Sequence, residues 1–512
     1  MTTMVETSAE SSLQRQTNWW GAFVIGLAAP ILVIGLDPSA IQALGAAAIP
    51  LLAAATAIGV ILCLFVAELA AVMPERTGGV PSYTTVAFEP VGERAARHVG
   101  GVAAWAYWLG WFPVAPINMI LAAAYITQLF GLPSGRSLLP FGSIGSPITI
   151  GAIIISVLGI VGMYIPCYLG IKLGAAAATV LGIVSMIPLT LLVILPVFKP
   201  GSMHFHNLAG LHFAHGVHGS ASLIMAWVFV MTWSVLGMEG AACYIGECSN
   251  PSRDAKIAMS AEGLYGFFIF VMTAVAIVLV LGTAANIDPL TLFSTYITKI
   301  TGSSGGWVQW AIGLPLIFAL LMSMLNAIMG CSRSLFQTSV DGVLPRWFGH
   351  LNRHGVPDRA MGFTAVCSML VVLFGSPLRI YIFSNVGYLF AIVLVFYGYF
   401  LHRQTKPDVH RPVRLPDGMH WLALVFGIFL TVLWAYGGWN SPKVVVGAKD
   451  PMLFLLGLLA IGAYVPLYVW RRLSDRRHVV VDLAQLSAPP AAIPVDGVEM
   501  AESVTAAEGP KQ

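Results

Sequence analysis

Gly26-Leu27-Ala28-Ala29-Pro30 stands in the middle of an apolar run over residues 19–37. A second stretch, Trp233-Ser234-Val235-Leu236-Gly237-Met238-Glu239-Gly240, stands in the middle of another run, over 220–247. A run of about 18 or more apolar residues crosses the hydrocarbon core as a helix. Pro30 has no N–H to give and its ring clashes with the preceding turn, while Gly26, Gly237 and Gly240 tolerate non-helical dihedrals. Both runs therefore read as helices broken in mid-span, the first at Gly26 and Pro30, the second at Gly237 and Gly240. Gly and Pro also serve membrane helices as plain kinks and packing sites. What sets these two apart is that they occupy corresponding places in the chain.

Working outward, twelve apolar runs appear, at roughly 19–37, 44–73, 99–130, 147–166, 171–198, 220–247, 257–284, 306–334, 360–376, 380–402, 419–438 and 452–470. Of the 512 residues, 57% are apolar and only 10% charged, against about 25% charged in soluble domains. The mean hydropathy is +0.82. A soluble enzyme, a disordered chain and a disulfide-stapled module are excluded. The net charge of +3, from 26 basic and 23 acidic side chains, gives no footprint for a nucleic-acid partner. With the N-terminus inside, twenty of the 26 basic residues fall in cytoplasmic segments and six outside, as the positive-inside rule expects. Both termini are then cytoplasmic, and the protein is a multi-pass protein of the cell membrane.

The first twenty residues lack the features of a secretory signal, so the first helix itself must direct insertion. Helices one to five fill residues 19–198 and helices six to ten fill 220–402, with an outer loop at 199–219 between them. An odd-numbered repeat inserts in opposite orientations, which is the inverted arrangement of many secondary transporters. Residues 1–18 form a cytoplasmic tail, 403–473 hold two additional helices, and the Ala/Pro/Glu-rich segment 474–512 reads as disordered. The six cysteines read as small packing residues, since they lie in helices or on the cytoplasmic side without a CxxC pair.

Three motifs then carry a resemblance. Ala67-Glu68-Leu69-Ala70-Ala71-Val72-Met73-Pro74-Glu75-Arg76-Thr77-Gly78-Gly79-Val80-Pro81-Ser82-Tyr83 resembles the end of helix two in amino acid permeases of the amino acid–polyamine–organocation superfamily. Gly237-Met238-Glu239, running through Tyr244 to Glu247-Cys248-Ser249-Asn250-Pro251, is similar to that family's sixth helix and its exit. Arg333-Ser334-Leu335-Phe336 with Asp341-Gly342-Val343-Leu344-Pro345 is similar to its segment after helix eight. The resemblance implies an all-α, leucine-transporter-like fold: two five-helix inverted repeats plus two helices, with helices one, two, six and seven as a bundle. It also implies alternating access about a site at unwound segments of helices one and six.

Such a site suits a zwitterion. A half-helix starting near Pro30 offers free N–H groups and a positive dipole end to a carboxylate. One ending near Trp233 offers carbonyls to an ammonium. The candidate binding residues are Leu27, Ala28 and Ala29 for the carboxylate, and Trp233, Ser234, Leu236 and Gly237 for the ammonium. Trp233 stands where the family carries a shielding aromatic; the plainer role is a packing aromatic. Where the family carries small polar residues at the first break, this chain is purely apolar, which also admits an amine without a carboxylate. Glu239 either binds a cationic group or a proton, or is a structural acid. Glu68 reads as part of the hydrogen bonding that closes the inner side. Glu247 and Glu262 read as solvated acids near the inner interface.

Coupling stays open between H+, Na+ and ion-free exchange. Ser185 replaces the lysine of one proton-coupled branch. Ser323 with carbonyls of helix one is a candidate sodium site, set against the common use of Ser as interhelical glue. Asn118 and Asn326 either line the pocket or bridge helices. The five histidines from His204 to His218 read as a solvated loop rather than a metal site. No metal or organic cofactor is expected, the partners are a small solute and the bilayer, and the oligomeric state is open. The expected function is secondary active transport of amino acids; the alternatives are a polyamine or other organic-cation permease and a non-transporting nutrient sensor. With no HExxH or nucleophile–base set in the spans, an enzyme is not expected.

Overall fold

The computed structural model describes residues 15–283, 292–302 and 306–487. The chain is helical nearly throughout, and its helices start where capping residues allow. Asn18 accepts the Gly21 N–H (3.1 Å) at the head of α1, Trp19–Gly26. A short 3₁₀ turn, Pro30–Leu32, leads into α2, Val33–Leu44. Gly45, at φ +66°, then reverses the chain into α3, Ala48–Val72. A side chain there is excluded: its first carbon would stand 2.7 Å from the Ala214 amide nitrogen. The loop of histidines packs onto this turn, with Ala214 N–H on Leu44 C=O at 3.1 Å, so part of it is tied down rather than freely solvated.

Then follow α4 (Val80–Ala87), α5 (Glu93–Trp111), α6 (Val114–Phe130), α7 (Ile150–Tyr168) and α8 (Ile171–Ile194). Between α6 and α7 lies a short antiparallel pair, Ser137–Leu138 against Ile148–Thr149. The second half of the chain holds α9 (Ala221–Val235), α10 (Pro251–Leu281), α11 (Leu292–Thr301), α12 (Gly306–Val340), α13 (Asp358–Val371) and α14 (Pro377–Thr405). The described residues end in α15 (Met419–Val432), α16 (Gly438–Val446), α17 (Met452–Gly462) and α18 (Tyr464–Ser487). The last helix runs to Ser487, past the expected start of the tail at 474, and Arg471 bonds Asp475 one turn on (2.8 Å). Residues 488–512 and 1–14 lie outside the described residues.

Among the described residues ten helical runs are long and apolar enough to cross a membrane. The first, Trp19–Val72, spans 54 residues and contains the Gly45 reversal. The ninth expected run, at 360–376, is helical over 358–374, too short to qualify. This is a multi-pass membrane protein. Burial sorts the helices into two classes: 78% of the most apolar window is buried in Gly306–Val340 and Pro377–Thr405, but only 17% in Ile150–Tyr168. On α7 the exposed Ile154, Leu158, Val161 and Ile165 recur every three or four residues, a single stripe turned outward to lipid.

At the centre, α3 lies along α10, and both touch the segment that continues α9. The first helix packs against that same segment and against α10. Around them, α12 lies against α6 and α8, and α14 against α5. The six cysteines are all free, five of them buried, in keeping with their reading as packing residues.

Candidate functional site

Both mid-span interruptions are present, in a tighter form than expected. The first helix stops at Gly26, turns through Leu27–Ala29, tightens to 3₁₀ winding over Pro30–Leu32, and resumes at Val33. Leu27 N–H closes the last turn of α1 on Phe23 C=O (2.9 Å). In the sixth helix the α-helix ends at Val235, two residues beyond the expected end at Trp233. It continues as a 3₁₀ helix of 12 residues, Leu236–Glu247. Such runs rarely exceed three or four residues. The expectation of unwound segments is therefore corrected to tightened ones. In lipid an open backbone strands its polar groups at several kcal/mol each, and 3₁₀ winding keeps part of the ladder closed.

The two interruptions press on each other. A carbon added at Gly26 would lie 2.7 Å from the Ala241 amide nitrogen, and one at Gly237 would lie 3.1 Å from Ala29 Cβ. Gly240 would meet the Gly26 carbonyl at 3.2 Å. Pro30, at the start of the first 3₁₀ turn, is fully buried beside Ala28 and Ala29. Glycine at Gly26 is needed for this approach, and Gly237 and Gly240 leave the segments in close contact.

Around this crossing the structure places the remaining candidates. Ser323, on α12, donates to Ala28 C=O at 2.8 Å, so the serine and the carbonyl of the sodium-site reading do meet. Trp233 donates its Nε1–H to Gly110 C=O (2.9 Å) and stands edge-on to Tyr381, ring centres 4.6 Å apart. Both the shielding and the packing reading accommodate those contacts. Ser234 is buried and its hydroxyl has no protein partner; Leu236 and Leu27 are also buried. Asn326 Oδ1 accepts from Tyr244 (2.7 Å), and its Nδ2 faces Gly240. Asn118 stands apart from that pair, donating to Leu320 C=O at 3.3 Å across helices.

Glu239 occupies an aromatic cage. It is fully buried, accepts one hydrogen bond, from Tyr388 (3.1 Å), and leaves Oε2 without a partner. Tyr107 and Trp111 complete the cage, their ring centres 6.1 and 6.2 Å from that of Tyr388. Aromatic faces and a carboxylate together suit an organic cation.

Two further acids differ from their sequence reading, and a third carries none. Glu262 is fully buried at the crossing, its Oε2 accepting the Ala241 N–H at 3.0 Å, so its assignment as a solvated interface acid is corrected. Eleven residues into α10, at about 1.5 Å each, it lies deep in the span. Glu247 is corrected likewise: it is buried in an ion pair with Arg333. Asp37, at the last position of the first apolar run, is carried buried by α2, with neither oxygen partnered. The missed signal was an acid with apolar neighbours on both sides. Tyr107, Tyr381 and Tyr388 gave no signal, because aromatic residues are ordinary in any span. Glu68 accepts from Arg403 (2.6 Å), Tyr399 (3.0 Å) and the Leu415 N–H (3.0 Å), the hydrogen bonding that its reading calls for. Among the described residues no cluster of three or more metal-ligating side chains forms.

Comparison with known proteins bears on this arrangement. The chain is 23% identical over 423 residues to an uncharacterized transporter of Legionella pneumophila, covering 79% of this chain and 86% of that protein. It is 21% identical over 408 residues to a D-serine/D-alanine/glycine transporter of Escherichia coli, covering 74% and 80%. To a polyamine transporter of Oryza sativa it is 25% identical over 255 residues, 49% of this chain and 45% of the relative, so it spans about half of that protein's length. The family profile described as amino acid permease matches residues 18–461. The chain belongs to the amino acid permease family.

Proposed function

We propose that this permease moves small amino acids across the cell membrane by alternating access, as a twelve-pass protein with two inverted five-helix repeats and cytoplasmic termini. The single observation that supports this reading is the contact between the two interruptions, Gly26 to Ala29 against Gly237 to Ala241, in mid-span. A zwitterion there meets the 3₁₀ turn at Pro30 with its carboxylate, beside Leu27, Ala28 and Ala29. Its ammonium meets the carbonyl end of α9, at Trp233, Ser234, Leu236 and Gly237. Helix ends favour those charges by their dipoles. The bundle formed by the first, second, sixth and seventh helices then rocks against the remaining helices, exposing the crossing to one side at a time. The similar D-serine/D-alanine/glycine transporter fits such a small, apolar-walled seat.

A second reading, an amine or polyamine permease, rests on the caged Glu239 with its free oxygen. Uptake by the purified chain in proteoliposomes, with glycine, D-alanine, D-serine, γ-aminobutyrate and putrescine, separates the two. Glycine-type solutes are expected to enter, and Trp233→Ala to weaken their apparent affinity several-fold. Entry of putrescine alone, abolished by Glu239→Gln, replaces the first reading with the second. No entry of any solute defeats both and leaves the nutrient sensor.

A further inference from the structure

The crossing of the two interruptions is built around a carboxyl group. Glu262 Oε2 is satisfied by Ala241 N–H, but Oε1 is buried with no partner. What surrounds Oε1 is small and polar. A carbon added at Gly26 would stand 2.7 Å from Oε1 and 2.9 Å from Oε2. One added at Gly240 would stand 3.4 Å from Oε1, 3.2 Å from the Gly26 carbonyl oxygen and 2.7 Å from Asn326 Nδ2. Oε1, the Gly26 carbonyl and the Asn326 amide therefore converge where the first, sixth and eighth helices meet.

The titratable groups facing Glu262 from neighbouring elements are Glu239 and Cys243 on the 3₁₀ segment and Cys63 on α3. All three are acidic groups, none a cation. Among the described residues Glu262 forms no ion pair; the buried Arg333 is already engaged by Glu247. A carboxylate here carries an uncompensated charge in an apolar interior, the costliest state open to it. Two occupants would relieve it, a metal cation or a proton. Polarity decides between them. The point a carbon at Gly26 would occupy lies 2.7 Å from the Ala241 amide nitrogen, a donor. Asn326 also turns its NH₂ donor, not its oxygen, toward Gly240, the oxygen being held by Tyr244. A donor facing the gap repels a cation.

We propose that Glu262 is a proton-binding site that couples this protein's transport to proton movement. A proton taken from solvent binds Oε1, the carboxylate becomes a neutral acid, and the new O–H points at the Gly26 carbonyl. The first helix is then tied at its interruption to α10, and through Ala241 to the sixth. Loss of that proton to solvent restores the charge and parts the carboxylate from the carbonyl, since both are then acceptors. The inference rests on the transport reading for its coupling, while the proton site stands on the crossing alone.

Infrared spectra of the purified full-length protein in lipid, taken as pH is stepped, read the carbonyl stretch of a protonated acid apart from ionised carboxylates. A titrating acid band present in the wild type, kept in Glu239→Gln and lost in Glu262→Gln, is expected. A wild-type spectrum without such a band, or one that Glu262→Gln leaves unchanged, overturns the site, and the wild-type measurement decides this even where the variant fails to fold. In proteoliposomes loaded with a pH-sensitive dye, entry of D-alanine or putrescine is expected to shift the internal pH in the wild type. Entry that moves no proton, or that follows a sodium gradient instead, overturns the coupling. No entry of any solute defeats the transport reading, and the infrared arm still decides the proton site.

Discussion

Two regions of the molecule bury acids equally deeply and treat them in opposite ways. At the end of the bundle where α3 meets the start of α4, Glu68 and Glu247 are both within 1% of complete burial, and each is held by arginine. Glu247 takes the guanidinium of Arg333, which also lies over the Tyr244 ring at 5.1 Å. Glu68 takes Arg403, with Arg411 3.3 Å from its other oxygen. Arg76 reaches Asp341 at 2.5 Å beside them. In the middle of the bundle, Asp37, Glu239 and Glu262 are each at 0% exposure, and among the described residues none has a cationic partner. Burial does not distinguish these sets; pairing does. Paired acids lock helices together at one end, whereas unpaired ones keep an unmet need for positive charge, which a solute or a proton can supply.

The sharpest way to test that contrast is to unpair a lock. Arg333→Ala strands Glu247 in a dry site, and removing one partner of a buried pair typically costs about 3–5 kcal/mol. Thermal unfolding in detergent should register a large loss, most of it recovered when Glu247→Leu is added, because an apolar pair carries no stranded charge. An unchanged melting temperature in the single variant would show that this end is wetter than its burial indicates. A gentler comparison removes one hydroxyl on each side. Tyr399→Phe takes a hydrogen bond from Glu68, a charged acceptor, worth about 1.5–3 kcal/mol. Tyr388→Phe takes the matching bond from Glu239, which has no cationic partner among the described residues; with a proton on that acid the loss is worth only about 1 kcal/mol. Equal losses in the two variants would mean that Glu239 is charged when at rest, and the contrast would fail.

Much of this was legible beforehand, for identifiable reasons. Continuous apolar runs fix where helices cross, and Gly26, Pro30, Gly237 and Gly240 marked both interruptions because backbone chemistry is local to the sequence. The winding was not legible: that the sixth helix tightens over Leu236–Glu247 instead of opening depends on what packs against it. Pairing was invisible for the same reason. Glu247 and Arg333 are 86 residues apart, and Glu68 and Arg403 are 335 apart. Sequence position alone placed Glu262 near an interface; only the contact of α10 with the crossing shows it buried. Asp37 was hidden by its place at the edge of an apolar run that in fact continues past it through α2.

The mildest perturbation closes the comparison from the other side. Arg97 and Glu93 pair one turn apart at the head of α5, and both are largely in water, at 49% and 77% exposure. The chemistry is the same guanidinium and carboxylate as in the Arg333 pair. Only the surroundings differ: water already solvates each charge, salt screens the attraction, and two long side chains lose freedom in meeting. Arg97→Ala should therefore lower stability by about 0.3–0.5 kcal/mol, near the limit of a melting measurement, and the effect should fade as salt is raised. The Arg333→Ala loss should resist the same salt, because ions do not reach a buried pair. A salt response shared by the two variants would break the claim that dehydration, rather than charge itself, separates the locks of this protein from its surface pairs.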